Sequence, residues 1–373
     1  MANNIIPSFL FMINIITIIF FFTCFPLSSQ AALDVEGMFV FGSSLVDNGN
    51  NNYLRNSSAR ANYVPYGIDF PLGPSGRFSN GRNPIDVLGE LLKLPSFIPP
   101  FSDPATNGHR ISHGVNFASG GSGILDETGS ITGEVTSMNQ QIRNFEKVTL
   151  AEMGGLFDLK KNSDYLSKYL FIVGTGGNDY FLNYFTSKKK TTTLLKFTHT
   201  LIATLSCQLK RLYDLGARKF VLFSIQAMGC IPAVRDNHRV SINGSCVEAM
   251  NEAAILFNNH LKALVIKLPN SSMPHASMIF INSYKIINDI ITNPKQHGFK
   301  ETSKACCDLP SNGILCRRGG KACRDRNSHV FFDGLHPTDA VNQRIAYKAY
   351  ASNLKTEAYP TNVKNLVHMY NSQ

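Results

Sequence analysis

The strongest constraint on the fold is a series of short apolar runs separated by segments with helical spacing. Met38–Gly42 (MFVFG), Gly114–Ala118, Tyr169–Gly174 (YLFIVG), Lys219–Ser224 (KFVLFS) and Ser277–Asn282 (SMIFIN) read as five buried strands. Pro84 to Leu94 opens as a helix with proline in its first turn. Thr193 to Leu215 places Leu194, Phe197, Leu201, Leu205, Leu209 and Leu212 on one face and ends at Gly216. Val247 to Leu268 repeats the pattern through Met250, Ala254, Phe257, Leu261 and Leu264, and a further helix begins at Pro337 and runs to Tyr350. Strands alternating with helices predict a parallel sheet covered by helices, with functional groups gathered at the carboxyl ends of the strands. Of 373 residues, 43% are hydrophobic and 17% charged, which excludes disorder and a pure coiled coil. No repeat, linker or composition shift marks a second domain.

The first thirty residues predict the compartment. Phe9 to Phe25 reads FLFMINIITIIFFFTCF, no charged side chain precedes Asp34, and Ser29-x-Ala31 supplies a cleavage pattern. An uncleaved membrane anchor is the rival, since the run approaches the ~20 residues that span a bilayer. Asn14, Pro26 and the small-residue end favour a cleaved secretory signal over residues 1–31, leaving one domain over 32–373 in a secreted, extracellular protein.

Cysteine use follows from that compartment. Cys24 leaves with the signal, and paired zinc spacings are absent among Cys207, Cys230, Cys246, Cys306, Cys307, Cys316 and Cys323. Cys230 and Cys246 bracket a polar loop and are expected to pair. The four cysteines in 306–323 are expected to form two bridges, in a connectivity the spacing leaves open. Cys207 remains as a buried free thiol in a helix. Asn56-Ser-Ser58, Asn243-Gly-Ser245 and Asn270-Ser-Ser272 are glycosylation acceptors. Lys plus Arg is 36 against Asp plus Glu 26, a net charge of +10. Outside the cell that excess points to an anionic wall or membrane surface and away from nucleic acid. The Lys188-Lys189-Lys190 run reads as a solvated loop.

Four segments carry candidate chemistry. Phe41 to Asn50 (FGSSLVDNGN) runs a strand into a turn that presents a serine, which needs a base to become a nucleophile. Asp333-Gly-Leu-His336-Pro337 can supply that base, since a carboxylate three residues before a histidine can hold one imidazole nitrogen and turn the other outward. Gly176-Gly177-Asn178-Asp179 and Gly120-Gly121-Ser122-Gly123 each follow a strand and offer amide donors to an oxyanion. Taken singly, each is also an ordinary turn or helix cap. No Gly-x-Ser-x-Gly elbow is present, and Gly76 to Gly81 lacks the Lys-Ser/Thr of a phosphate loop. His109 and His113 lack a metalloprotease motif.

Together, in this order, these segments resemble the plant GDSL esterase/lipase family of SGNH hydrolases. The likeness covers the whole mature chain, including Pro65 to Phe70, Gly76 to Arg82, Met228-Gly-Cys230-Ile-Pro232 through Cys246, and the Cys306-Cys307 loop. It implies a three-layer α/β/α sandwich with a five-stranded parallel sheet, flavodoxin-like in its layering, and hydrolysis of carboxylic esters without metal or organic cofactor. By motif position it implies Ser44 as nucleophile, His336 as general base and acid, and Asp333 as its orienter. The oxyanion would be met by the amide of Ser44, by Gly121 (or Gly120 beside it) and by the Asn178 side chain. The family's usual Gly-Asp-Ser-Leu is Gly-Ser-Ser-Leu here, with Ser43 at a position that is not the triad acid. Phe332 stands where the family often has tryptophan. Acyl transfer through the same acyl-enzyme and a non-catalytic wall- or lipid-binding role are the alternatives. The sequence fixes neither the ester substrate nor an oligomeric state.

Overall fold

β1 (Gly37–Gly42), β2 (Tyr169–Gly174), β3 (Lys219–Phe223) and β4 (Ser277–Ile281) lie side by side in that order, all parallel. Phe39 pairs with Phe171, Ile172 with Val221, and Val221 with Ile279. Nearly every residue of these strands is buried, which requires cover on both faces of the sheet. The computed structural model describes residues 35–368 apart from 158–163, 188–191, 237–244 and 312. The expected signal segment, the Lys188–Lys190 run and the Asn243 acceptor lie outside the described residues.

Helices supply the cover: α1 (Pro84–Leu91), α2 (Met138–Asn144), α3 (Leu150–Phe157), α4 (Leu194–Asp214), α5 (Glu248–Lys267), α6 (Ser283–Thr292), α7 (Asp339–Ala351) and α8 (Val363–His368). On one side α2, α4 and α5 pack in series, with α2 reaching β1 and α5 reaching β4. On the other, α1, α6 and α8 gather around α7. The three-layer sandwich follows from this division. In α4 the Thr193 side chain caps the first turn, and Leu201, Leu205, Leu209 and Leu212 are buried. Each such leucine contributes about 1.5–3 kcal/mol relative to exposure.

A second, two-stranded parallel sheet joins β5 (Glu301–Ala305) to β6 (His329–Phe331). Beneath it a satellite core gathers Tyr66, Phe78, Phe332, Cys306, Cys307 and Cys316. Three disulfides form: Cys230–Cys246, Cys306–Cys323 and Cys307–Cys316.

Three expectations are corrected. Gly114–Ala118 is not a strand of the main sheet. Its residues run parallel beside β1, with bonds from Val40 N–H to Val115 O and from Phe117 N–H to Val40 O, but only Asn116 bridges. Gly114 at φ +99° breaks the ladder. The fifth strand is instead β7 (Ala358–Tyr359), which pairs antiparallel with β4, so the sheet is mostly rather than wholly parallel. Cys207 is free but exposed, because the buried stripe of α4 passes through Leu205, Gln208 and Leu209 and leaves position 207 outward.

Candidate active site

Strand register explains why distant segments converge. Gly42 pairs with Gly174, so the loops after β1 and β2 leave the sheet side by side. Gly42 sits at φ +138°, and a Cβ there would fall 2.1 Å from the Gly174 carbonyl oxygen. Only glycine permits the chain to turn this closely into Ser43 and Ser44. On the other flank of β1 the Ser119 N–H donates to Gly42 O at 3.0 Å, which delivers the 119–123 loop to the same end. Three loops thus gather at the carboxyl edge of the sheet.

The Asp333–His336 turn meets them from the second sheet. Ser44 Oγ lies 2.7 Å from His336 Nε2, and His336 Nδ1 lies 2.8 Å from Asp333 Oδ2. Asp333 is fully buried, and its Oδ1 also accepts the backbone N–H groups of Leu335 and His336 at 2.8 and 2.7 Å. Tyr66 Oη donates to Asp333 Oδ2 at 2.6 Å and itself accepts the Cys316 N–H at 3.1 Å. Burial, then the adjacent Asp333 carboxylate, pushes the Tyr66 phenol well above its ordinary range, so it remains a donor. The Phe78 ring lies 4.8 Å from the imidazole, centroid to centroid, and restricts its rotation. Gln226 Nε2 anchors the Leu335 carbonyl at 3.0 Å.

The glycine loop presents one amide and commits the other. The Gly120 N–H donates to Asp47 Oδ2 at 3.0 Å, whereas the Gly121 N–H makes no hydrogen bond among the described residues. Gly121, at φ +85°, faces the same cavity as Ser44, His336 and Asn178. One hydrogen of the Asn178 amide goes to Ser122 O at 2.9 Å. Ser44, Gly121 and Asn178 are therefore brought together, with Gly121 rather than Gly120 holding the available amide.

Two buried carboxylates that the sequence reading left without a role hold these loops. Asp47 accepts the Gly49, Asn50 and Gly120 amides at 2.7, 2.9 and 3.0 Å. Asp179 accepts Ile124, Leu125 and the Thr128 hydroxyl at 2.9, 3.0 and 2.7 Å. Burial pushes each carboxyl up to about 6 against the pull of those donors. Both lie inside motif segments already singled out. A buried acid next to glycine or asparagine turns was the available signal.

Ser44 and His336 stand between two cavities. One, of about 70 Å³, is lined by apolar groups including Ile225, Met228, Ile231 and Ile287, with Ser43 at its wall. The other, of about 500 Å³, opens past Tyr63, Leu315, Arg317 and Arg318. Cys306, Cys323 and His329 cluster as metal ligands would, but both sulfurs are joined in a disulfide and offer no thiolate. His113 Nδ1 lies 2.8 Å from the Glu36 carbonyl oxygen. Asn56 and Asn270 are exposed.

Residues 38–349 match the family described as GDSL-like Lipase/Acylhydrolase. One GDSL esterase/lipase of Arabidopsis thaliana is 43% identical over 356 residues, 93% of this chain and 96% of that protein. A second from the same plant is 43% identical over 348 residues, 91% of this chain and 89% of its own length. A third is 38% identical over 371 residues, 97% and 99% respectively.

Proposed function

The chain belongs to the GDSL-like lipase/acylhydrolase family and is a carboxylic ester hydrolase, and from that premise we propose that it is a secreted serine enzyme working through Ser44, His336 and Asp333. Ser44 Oγ attacks the ester carbonyl while His336 Nε2 takes its proton. Asp333 keeps the imidazole in the tautomer that presents Nε2 and balances the charge formed on it. The carbonyl electrons move onto oxygen, which the amides of Ser44 and Gly121 and the Asn178 side chain receive. Collapse breaks the bond to the alcohol, which leaves with the proton from His336. Water, deprotonated by His336, then attacks the acyl-enzyme; the bond to Ser44 Oγ breaks, Ser44 takes the proton back from His336 and the acid is released.

The observation that carries this reading is the unbroken contact chain from Ser44 Oγ through His336 to a fully buried Asp333. Purified protein and Ser44→Ala are compared on short p-nitrophenyl esters, and a phosphonate probe is mapped by mass spectrometry. Wild type should turn over and be labelled at Ser44, with Ser44→Ala slower by about 10⁴-fold or more. Equal rates in the two proteins overturn the assignment. Acyl transfer is the second reading, favoured by a cavity of about 500 Å³ beside Ser44 that has room for an acceptor alcohol. Product analysis with a hydroxylated acceptor separates transfer from hydrolysis.

The domain would be the mature chain over 32–373, exported by residues 1–31 and glycosylated at Asn56, Asn243 and Asn270. The apolar run before Pro26 and the exposure of Asn56 and Asn270 support this. N-terminal sequencing of the secreted protein should begin near Ala32, and endoglycosidase should increase its mobility.

A further inference from the structure

The two cavities beside Ser44 differ in charge as well as size. The narrow one carries no ionisable side chain except His336. The wide one is lined by two arginines, Arg317 and Arg318, both exposed. Among the described residues neither guanidinium pairs with a carboxylate. Asp308, close by in sequence, spends Oδ2 on the Lys321 N–H at 3.0 Å. Arg318 is also held in place, with its guanidinium 4.0 Å above the centre of the Tyr63 ring. The Tyr63 hydroxyl is fixed in turn by the Cys316 carbonyl at 2.9 Å. The segment carrying both arginines is closed by Cys307–Cys316 and Cys306–Cys323. Two uncompensated cations, of which Arg318 is anchored on Tyr63, thus line the cavity that contains Ser44 and His336.

Resting on the esterase reading, we infer that the natural substrate is an ester whose alcohol portion carries an anionic group, a carboxylate, sulfate or phosphate, bound in the wide cavity against Arg317 and Arg318. An ester places two groups on either side of the carbonyl. The narrow, neutral, apolar cavity takes the acyl hydrocarbon, so the alcohol portion extends into the wide one. An anion there meets a planar donor fork that suits carboxylate, sulfate and phosphate alike.

The test compares 4-acetoxybenzoate with 4-acetoxybenzamide, which share acetyl group and ring and differ in charge. Each enzymatic kcat/KM is divided by that ester's own hydroxide-catalysed rate. Wild type should favour the anionic ester by about tenfold at low salt, the size of one charge-assisted contact, and the preference should shrink as salt rises. In the double variant Arg317→Gln, Arg318→Gln the ratio should fall to about one. A wild-type ratio near one, or a ratio the double variant does not move, overturns the inference. Loss of 4-acetoxybenzamide turnover in Ser44→Ala reads the esterase assignment separately. Should no ester be turned over, equilibrium binding of 4-hydroxybenzoate against 4-hydroxybenzamide decides the inference without catalysis. Equal binding of the two then overturns it. If the double variant leaves the ester ratio unchanged and sediments less with phosphatidylserine vesicles, the arginines dock the protein on a lipid surface and the inference fails.

Discussion

The two halves that meet at Ser44 are stiffened by different chemistry. On the side of the main sheet, the loops carrying Ser44, Gly121 and Asn178 are held by buried hydrogen bonds. Asp47 and Asp179 gather backbone amides, and Gln141 bonds both the N–H and the carbonyl of Gly42 at 2.8 and 2.9 Å. On the side of the second sheet, the Asp333–His336 turn rests on a satellite core of Tyr66, Phe78 and Phe332 closed by two disulfides. The first half depends on the ionisation and identity of single acceptors. The second adds covalent closure and aromatic packing around the buried Asp333.

The largest test falls on the first half. Asn178→Ala removes a donor aimed at the developing oxyanion and should lower kcat by about 10²–10³-fold with a smaller change in KM. A change confined to KM would separate Asn178 from the oxyanion site.

Asp47 tests the same half through pH. Its folded pKa of about 6 lies above the ordinary 3.8. The folded protein therefore binds a proton that the unfolded chain releases, and stability declines as pH rises from about 4 to about 6. Asp47's share of the decline is about 3 kcal/mol, with a like share from Asp179, and Asp47→Asn should remove its own share of the slope in urea titrations. An unchanged slope would show that the carboxylate is not the source. The ionised acid destabilises the fold at neutral pH, consistent with a group retained for the amides it orders.

On the second half, Cys307→Ala with Cys316→Ala should reduce stability by about 2–4 kcal/mol, with no change in the pH slope assigned to Asp47. A smaller step follows from Tyr66→Phe, which removes one hydrogen bond to Asp333 and should cost about tenfold in kcat. If Tyr66→Phe equals Asn178→Ala in effect, the two halves contribute alike and the contrast fails. Cys207→Ser, on the exposed face of α4, should stay within about 0.5 kcal/mol of wild type.

Four strands and the long helices α4 and α5 were legible because burial on one stripe or on both faces writes itself into residue order. Gly114–Ala118 carried a similar apolar signal, yet its partners are loops on one side, and composition cannot distinguish a ladder from an extended segment covered by other means. The helical stretch 138–157 was missed. Its buried face includes Gln141, and a wide turn at Phe145–Thr149 shifts the phase between α2 and α3, which breaks the 3.6-residue pattern. The motif segments were readable as candidates, but the free amide at Gly121 was not. Asp47 takes up the Gly120 N–H only once the two loops are stacked.

By itself, then, the sequence determined the layered α/β/α class, the strands that deliver Ser44 and Asn178, and the three-residue spacing of Asp333 and His336. These depend on local periodicity and on short chemical spacings, which any single chain carries in its order. Tertiary structure alone decided how the four cysteines of 306–323 join, which glycine keeps its amide, and that an apolar cavity and a basic one flank the same serine. The amide and the cavities rest on residues far apart in the chain, which the register of β1 against β2 and the closure of the 306–323 loop bring within reach, and the bridges rest on how that loop folds.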